Sequence, residues 1–175
     1  MNKKLLIAIL AIVVAGLVWY FFYRPINIPA DWESYSSETV GFSIKYDPSL
    51  IVSEDSETDV RFYKIGPTQQ GQTEMYDGIV FSVRRVAIIE EQQLYIDTQI
   101  EQFKEVGTIT EPLHDISING VSAKEFGASG LGDFKIIFVP VDDKTFIEIS
   151  YITPDPTNIG FQKIVETILS TFKLK

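Results

Sequence analysis

Glu54, Asp55, Glu57 and Asp59 place four carboxylates within six residues, and oxygen-rich groups of this kind are what a hard cation such as calcium or manganese takes as ligands. These four are the metal-ligand candidates of the chain. They lack the Asp-x-Asp-x-Asp-Gly order and distal Glu of an EF-hand, so the competing reading is a solvated acidic loop. His114 is the single histidine, which excludes a histidine-rich zinc site and leaves a Ser-His-Asp triad with one possible base. Asp115 beside it does not orient it, because neighbouring residues on a strand point to opposite faces. His114 is therefore expected at the surface, at the start of a strand. Gly127-Ala128-Ser129-Gly130-Leu131-Gly132 has the glycine density of a phosphate cradle, but the apolar run that follows it is a strand and not the helix a nucleotide site needs. Arg84-Arg85 is a basic doublet whose side chains must leave a strand on opposite faces. Trp32, Tyr35, Tyr63, Tyr76 and Tyr95 can line a groove or fill a core, and core is the commoner use of such rings. No catalytic residue is assigned and no cofactor is expected, a calcium or manganese ion at the acidic group excepted.

These side chains must be positioned by elements that the spacing of apolar residues predicts. Phe42, Ile44 and Tyr46 alternate with polar residues as on a half-buried strand, preceded by a strand over Trp32 to Tyr35. Leu50 to Ser53 and Asp59 to Ile65 make a next pair, with Glu54 to Thr58 as the acidic loop between them. Ile79 to Ile88 is β-branched and aromatic, with Ile79, Phe81 and Val83 on one face and Val80 and Val86 on the other. Between Glu90 and Val106 the recurrence of Ile96, Ile100 and Phe103 is helical, and Gly107 stands where that helix would stop. Asn119-Gly120, between Ile116 to Ile118 and Val121 to Ala123, is a two-residue hairpin signal, since both central positions of that turn require positive φ. Phe134 to Val141 and Thr145 to Ile152 complete a four-stranded antiparallel meander. A closing helix carries Phe161, Ile164, Val165, Ile168, Leu169 and Phe172 on one face, with Asp155 or Thr157 as its capping acceptor.

Leu5 to Phe22 is free of charge and follows Lys3 and Lys4. As a helix its eighteen residues reach about 27 Å, close to the thickness of a bilayer's hydrocarbon core. It is expected to be a single transmembrane anchor, with residues 1–4 cytoplasmic by the excess of Lys on that side, residues 23–31 a proline-containing spacer, and residues 32–175 one extracytoplasmic domain. Trp19, Tyr20 and Tyr23 stand where an interfacial aromatic belt would form. A cleaved signal peptide is the alternative, with Ala30 its one late cleavage option. The absence of cysteine excludes a lipid-modified cysteine and disulfides. Lys3, Lys4 and Arg24 all precede Pro25, which leaves twelve basic residues against all 24 acidic ones. Nucleic acid and anionic lipid surfaces are poor partners for such a domain.

The order of elements, from Gly41-Phe42-Ser43-Ile44-Lys45-Tyr46-Asp47-Pro48 through Asn119-Gly120 to Ser170-Thr171-Phe172, resembles that of PsbP-like proteins and the related DcrB-like proteins over Trp32 to Lys175. The chain departs from the Gly-Phe-Ser-Ile-x-Tyr-Pro phrase of that family by placing Asp47 before Pro48. The resemblance implies an α+β fold, an α/β/α sandwich with a mainly antiparallel sheet covered by helices. It also implies an extracytoplasmic accessory role without catalysis. The first function class is thus a membrane-tethered module that binds an envelope protein or stabilises an assembly. The second is an extracytoplasmic protein binding a small molecule or a divalent metal, and the third a carboxylate-dependent hydrolase, which would need two convergent acids in one pocket.

Overall fold

A computed structural model describes residues 10, 12–14, 26–71, 74–130 and 132–175. The anchor expected over Leu5 to Phe22 lies outside these apart from Leu10 and residues 12–14, which are helical. No helix among the described residues is long and apolar enough to cross a membrane.

From Glu33 onward the order is β1 (Glu33–Ser37), β2 (Phe42–Tyr46), β3 (Ile51–Ser56), β4 (Asp59–Ile65), β5 (Gly78–Ala87), α1 (Gln92–Val106), β6 (Thr108–Ile118), β7 (Val121–Ser129), β8 (Asp133–Asp142), β9 (Thr145–Ile152), α2 (Phe161–Thr171) and β10 (Lys173–Leu174). A seven-stranded sheet runs β3-β4-β5-β9-β8-β7-β6, with the meander β6 to β9 forming one half. All its pairings are antiparallel. The opening hairpin does not join this sheet. Instead β1, β2 and β10 make a second sheet of three strands. At two residues β10 is too short to show a period of its own, which is why the sequence gives no sign of it.

Because side chains alternate across a strand, the large sheet has two apolar faces. On one, Phe62, Phe81, Val83, Ile137 and Ile149 meet Phe161, Val165, Ile168 and Phe172 from α2 and its end, together with Phe42 and Ile44 of β2. Tyr35 of β1 sets its ring edge-on to Phe62 at 5.3 Å, so the small sheet is clasped to the large one by aromatic contact. Thr171 tightens the same junction by accepting a hydrogen bond from the Lys45 amide at 2.8 Å. The opposite face buries Phe126, Ile136, Phe138 and Phe146 against Ile96, with Ile100 and Phe103 of α1 packed alongside. The layers are therefore α1, then the large sheet, then α2 with the small sheet beside it.

Several local expectations need correction. The first strand is Glu33–Ser37 and not Trp32 to Tyr35, and Trp32 packs beside the core from just outside it. The acidic segment is no loop: Glu54, Asp55 and Ser56 belong to β3, and only Glu57 and Thr58 turn. β6 begins at Thr108 and not near Ile116, so His114 lies within the strand. Pro112 and two irregularities of register interrupt the alternation that would have shown this, as an edge strand tolerates. Gly107 ends α1 as expected, but in extended backbone. A Cβ there would sit 2.2 Å from the Ser129 carbonyl oxygen, so close backbone approach, not a left-handed cap, demands glycine. At α2, Gly160 takes the left-handed capping position with φ of 94°. Asp155 serves as the acceptor from further upstream, bonding the amides of Ile159 at 2.7 Å and Gly160 at 2.6 Å.

Candidate functional site

The Asn119-Gly120 turn has φ of 48° and 85°, the two positive values its type requires. A turn of this length fixes the pairing behind it, and His114 of β6 falls opposite Glu125 of β7. The two side chains therefore share a face, with Nε2 of His114 3.9 Å from Oε1 of Glu125. That face is the one carrying α2, since Ile137, opposite Glu125 on β8, belongs to its core. Two residues back on β8, Lys135 reaches Glu125 at 3.6 Å. Its ammonium also bonds the Glu111 carboxylate of β6, two strands away.

That second contact crosses Gly127, which stands between Lys135 and Glu111 in the ladder. A Cβ on Gly127 would lie 2.9 Å from Thr110 Oγ1 and 3.2 Å from Glu111 Cβ, so the missing side chain is what lets β6 approach β7 at its irregular register. Among the described residues, Glu111, His114 and Glu125 are the one group of three potential metal ligands whose donor atoms all lie within 4.8 Å of one another. His114 is tethered on its other side, where Nδ1 lies 3.0 Å from the Pro112 carbonyl oxygen. A carbonyl only accepts, so Nδ1 carries the proton and Nε2 is the nitrogen turned toward Glu125.

The electrostatics follow from this packing. The hydrogen bond from Lys135, reinforced by its charge, holds the Glu111 carboxyl below the usual range. Tyr151, opposite Lys135 on β9, is pushed up to about 12, first by burial and then by the negative charge of Glu125. Beside the cluster lies a cleft of about 300 Å³ bounded by Glu111, Lys135, Tyr151 and Gln162 of α2. A further cleft of about 450 Å³ lies between Ile116 and Leu169 near the other end of α2. Chemically, the cluster offers one imidazole nitrogen and two carboxylates around a resident ammonium.

The four acids singled out in the sequence do not converge on one point. Glu54 accepts from the Tyr35 hydroxyl at 2.7 Å, and burial followed by this bond pushes Tyr35 up to about 12. Asp55 accepts from Ser53 at 2.7 Å and from Arg61 Nε at 2.8 Å, which keep its carboxyl low. Glu57 is exposed in the turn, and Asp59 pairs in register with Arg84. Arg84 and Arg85 do part to opposite faces: Arg84 bonds the nearly buried Glu148 at 2.7 Å, whereas Arg85 points toward the Val40 carbonyl. Gly130 and Gly132 close the β7–β8 hairpin, and Asp133 opens the strand after them. Of the aromatics, Trp32, Tyr35 and Tyr95 pack on the cores, while Tyr76 is exposed.

Glu111, Glu125 and Lys135 are not marked by any linear spacing. The pairing of His114 with Glu125 follows from the hairpin signal alone; the place of Glu111 does not, because the irregularities in β6 shift its partner to Gly127.

No protein-family model and no curated protein matches the chain. Among solved structures it is similar to the cyanobacterial PsbP protein CyanoP of Synechocystis sp. PCC 6803. The TM-score is 0.56 at 14% identity, over 86% of this chain and 95% of that one. A Bacteroides thetaiotaomicron protein gives a TM-score of 0.42 at 13% identity over 82% of this chain, which spans about half (48%) of that protein's length. The antiparallel sheet between α1 and α2 is thus a PsbP-like fold.

Proposed function

We propose that the chain is a membrane-anchored, extracytoplasmic, non-catalytic module that binds a protein of the envelope or stabilises an assembly there. The observation that carries this reading is the uncharged segment from Leu5 to Phe22, set directly before a PsbP-like domain with a large acidic excess. Lys3 and Lys4 support an amino terminus held on the cytoplasmic side. The short spacer with Pro25 and Pro29 supports a domain kept near the membrane.

Alkaline phosphatase fused after Lys175 is expected to be active in intact cells, and the fusion is expected to sediment with membranes until detergent is added. An inactive fusion, or one that stays in the aqueous fraction without detergent, overturns the anchor. Crosslinking of the full chain in membranes followed by affinity capture is expected to return one envelope protein reproducibly. Repeated recovery of the chain alone would refute the binding role.

A further inference from the structure

Two carboxylates and one imidazole converge at Glu111, His114 and Glu125, and a protein cation already bridges the two carboxylates. We propose that these three residues form a binding site for a divalent ion of the zinc type, and that the ion enters by displacing the Lys135 ammonium. This goes beyond the tethered-module reading and does not depend on it.

The donor set decides the class of ion. Calcium and magnesium take six or more oxygens, whereas one imidazole nitrogen with two carboxylate oxygens suits zinc and its neighbours in the transition series. Bonds of about 2.0–2.2 Å around a tetrahedral centre place ligand atoms roughly 3.3–3.5 Å apart. The separation between His114 and Glu125 is 3.9 Å, and none in the set exceeds 4.8 Å. Closure therefore needs rotation of partly exposed side chains and no backbone movement. A solvent molecule would complete the fourth position from the adjoining cleft.

Two features prepare the site. The Pro112 carbonyl occupies the Nδ1 side of His114, which leaves Nε2 directed inward, the ring orientation that outer hydrogen bonds impose on metal-binding histidines. Cross-strand pairing holds His114 and Glu125 face to face on a long hairpin, so little ordering is left for the ion to impose. Lys135 is the opposing term. The ion must replace the existing contacts of the Lys135 ammonium with Glu111 and Glu125, so affinity is set by competition rather than by donors alone. Once freed, the lysine can turn to the cleft or to Asp133, which opens its own strand.

The test is calorimetric titration of the full-length protein with zinc chloride near pH 7, with cobalt(II) absorption as a second readout. One saturable site is expected, with visible cobalt bands of tetrahedral intensity. His114→Ala is expected to weaken binding at least tenfold and abolish the bands, Glu125→Gln to weaken it similarly, and Lys135→Met to tighten it at least tenfold. Calcium at millimolar concentration is expected not to compete. Absence of a saturable zinc site, or one unaltered by His114→Ala, overturns the proposal. A site lost in His114→Ala but unaltered in Lys135→Met refutes the displacement. Because all substituted positions are at least partly exposed, thermal melts of the variants verify that each is folded before titration.

Discussion

Phe62 should be the single ring whose loss most loosens the attachment of the small sheet to the large one. It is fully buried, and it meets Tyr46 of β2 at 5.2 Å, Tyr35 of β1 at 5.3 Å and Phe81 of β5 at 6.2 Å. Phe62→Ala removes a buried phenyl ring from neighbours drawn from both sheets, and such changes cost about 3–5 kcal/mol. The upper part of that range is expected here, because edge-on aromatic contacts are lost together with buried area and the partners are held on separate strands that cannot collapse inward as a unit. With a urea dependence near 2 kcal/mol per molar, the unfolding midpoint should fall by about 2 M. Urea titration of the full-length protein in detergent, followed by tryptophan fluorescence in a Trp19→Phe background, reads this through Trp32, which packs beside the same core. Phe62→Leu should recover more than half of the loss. A cost below about 1 kcal/mol would refute the claim that aromatic contact clasps the two sheets, since it would fall below the range for any well-packed phenyl ring.

Other consequences are more local. Lys135→Met should remove the hydrogen bond and charge that hold Glu111 down, and carboxyl titration by NMR should find Glu111 moved up toward its ordinary value of 4.5; an unmoved Glu111 would mean the lysine is not what lowers it. At Asp155, burial works to raise the carboxyl, but amide hydrogen bonds from Gly160, Ile159 and Phe161 outweigh it and hold the group below its ordinary 3.8. The stabilisation is therefore complete above 3.8 and is lost as pH falls through the lower folded value, so Asp155→Asn should flatten the acid limb of a stability–pH curve below about pH 4. Tyr35 and Tyr151, both raised from 10.0 to about 12, should ionise late in an ultraviolet titration, and Tyr151→Phe should remove one late component; their stabilisation is complete below 10.0 and lost as pH rises through about 12. Gly66→Ala should lower the melting temperature, because its Cβ would fall 2.1 Å from Oδ1 of the fully buried Asp77; an unchanged melt would show that this loop yields freely.

What could be read from the residues was what local periodicity encodes. Alternation at Phe42, Ile44 and Tyr46 marked β2, the three-and-four spacing from Phe161 to Phe172 marked α2, and Asn119-Gly120 marked the hairpin. The hairpin encodes more than its own turn. A two-residue turn sets every opposite pair behind it until a bulge intervenes, so His114 facing Glu125 and Asp115 facing Lys124 were already implied. Beyond His114 the register shifts, and Glu111 is reached only through tertiary structure. Lys135 belongs to a third strand, whose offset depends on the β7–β8 turn and has no signature as firm as Asn-Gly. The small sheet was hidden for a different reason: two residues at the chain's end pair with β2 only because α2 delivers them there. Charge density is high at Glu54, Asp55, Glu57 and Asp59, but density along the chain is not convergence in space. Strand alternation sends Glu54 to Tyr35 and leaves Asp55 with Arg61.

The position of the Glu111–His114–Glu125 cluster has a cause in the dimensions of the fold. Seven strands about 4.8 Å apart span roughly 29 Å. With eleven residues α2 is only about 16 Å long and roughly 10 Å across, so it cannot roof that sheet alone. The small sheet completes the roof over β4, where Phe62, with Phe81 of β5 beside it, lies beneath Tyr35 and Tyr46. Among the described residues nothing comparable covers β6 at Glu111 and His114, whereas Ile116 and Ile118 toward its other end pack on the α2 core. One ladder row makes the gradient visible: Phe62, Phe81, Tyr151, Lys135, Gly127 and Glu111 follow one another from β4 to β6, apolar where roofed and charged where open. The reverse face is arranged the other way, with α1 over Phe126, Phe138 and Phe146 of the meander half and the Arg84–Glu148 pair toward β5. On the reverse face the ionisable pair is drawn inward, since Glu148 is buried beneath Arg84, whereas on the α2 face Glu111 and His114 stand exposed on a rigid ladder. On the α2 face that end also borders a cleft, so its charged groups are both ordered and accessible. Those are the two conditions a binding site must meet, and the exposed acidic turn at Glu57 satisfies only the second.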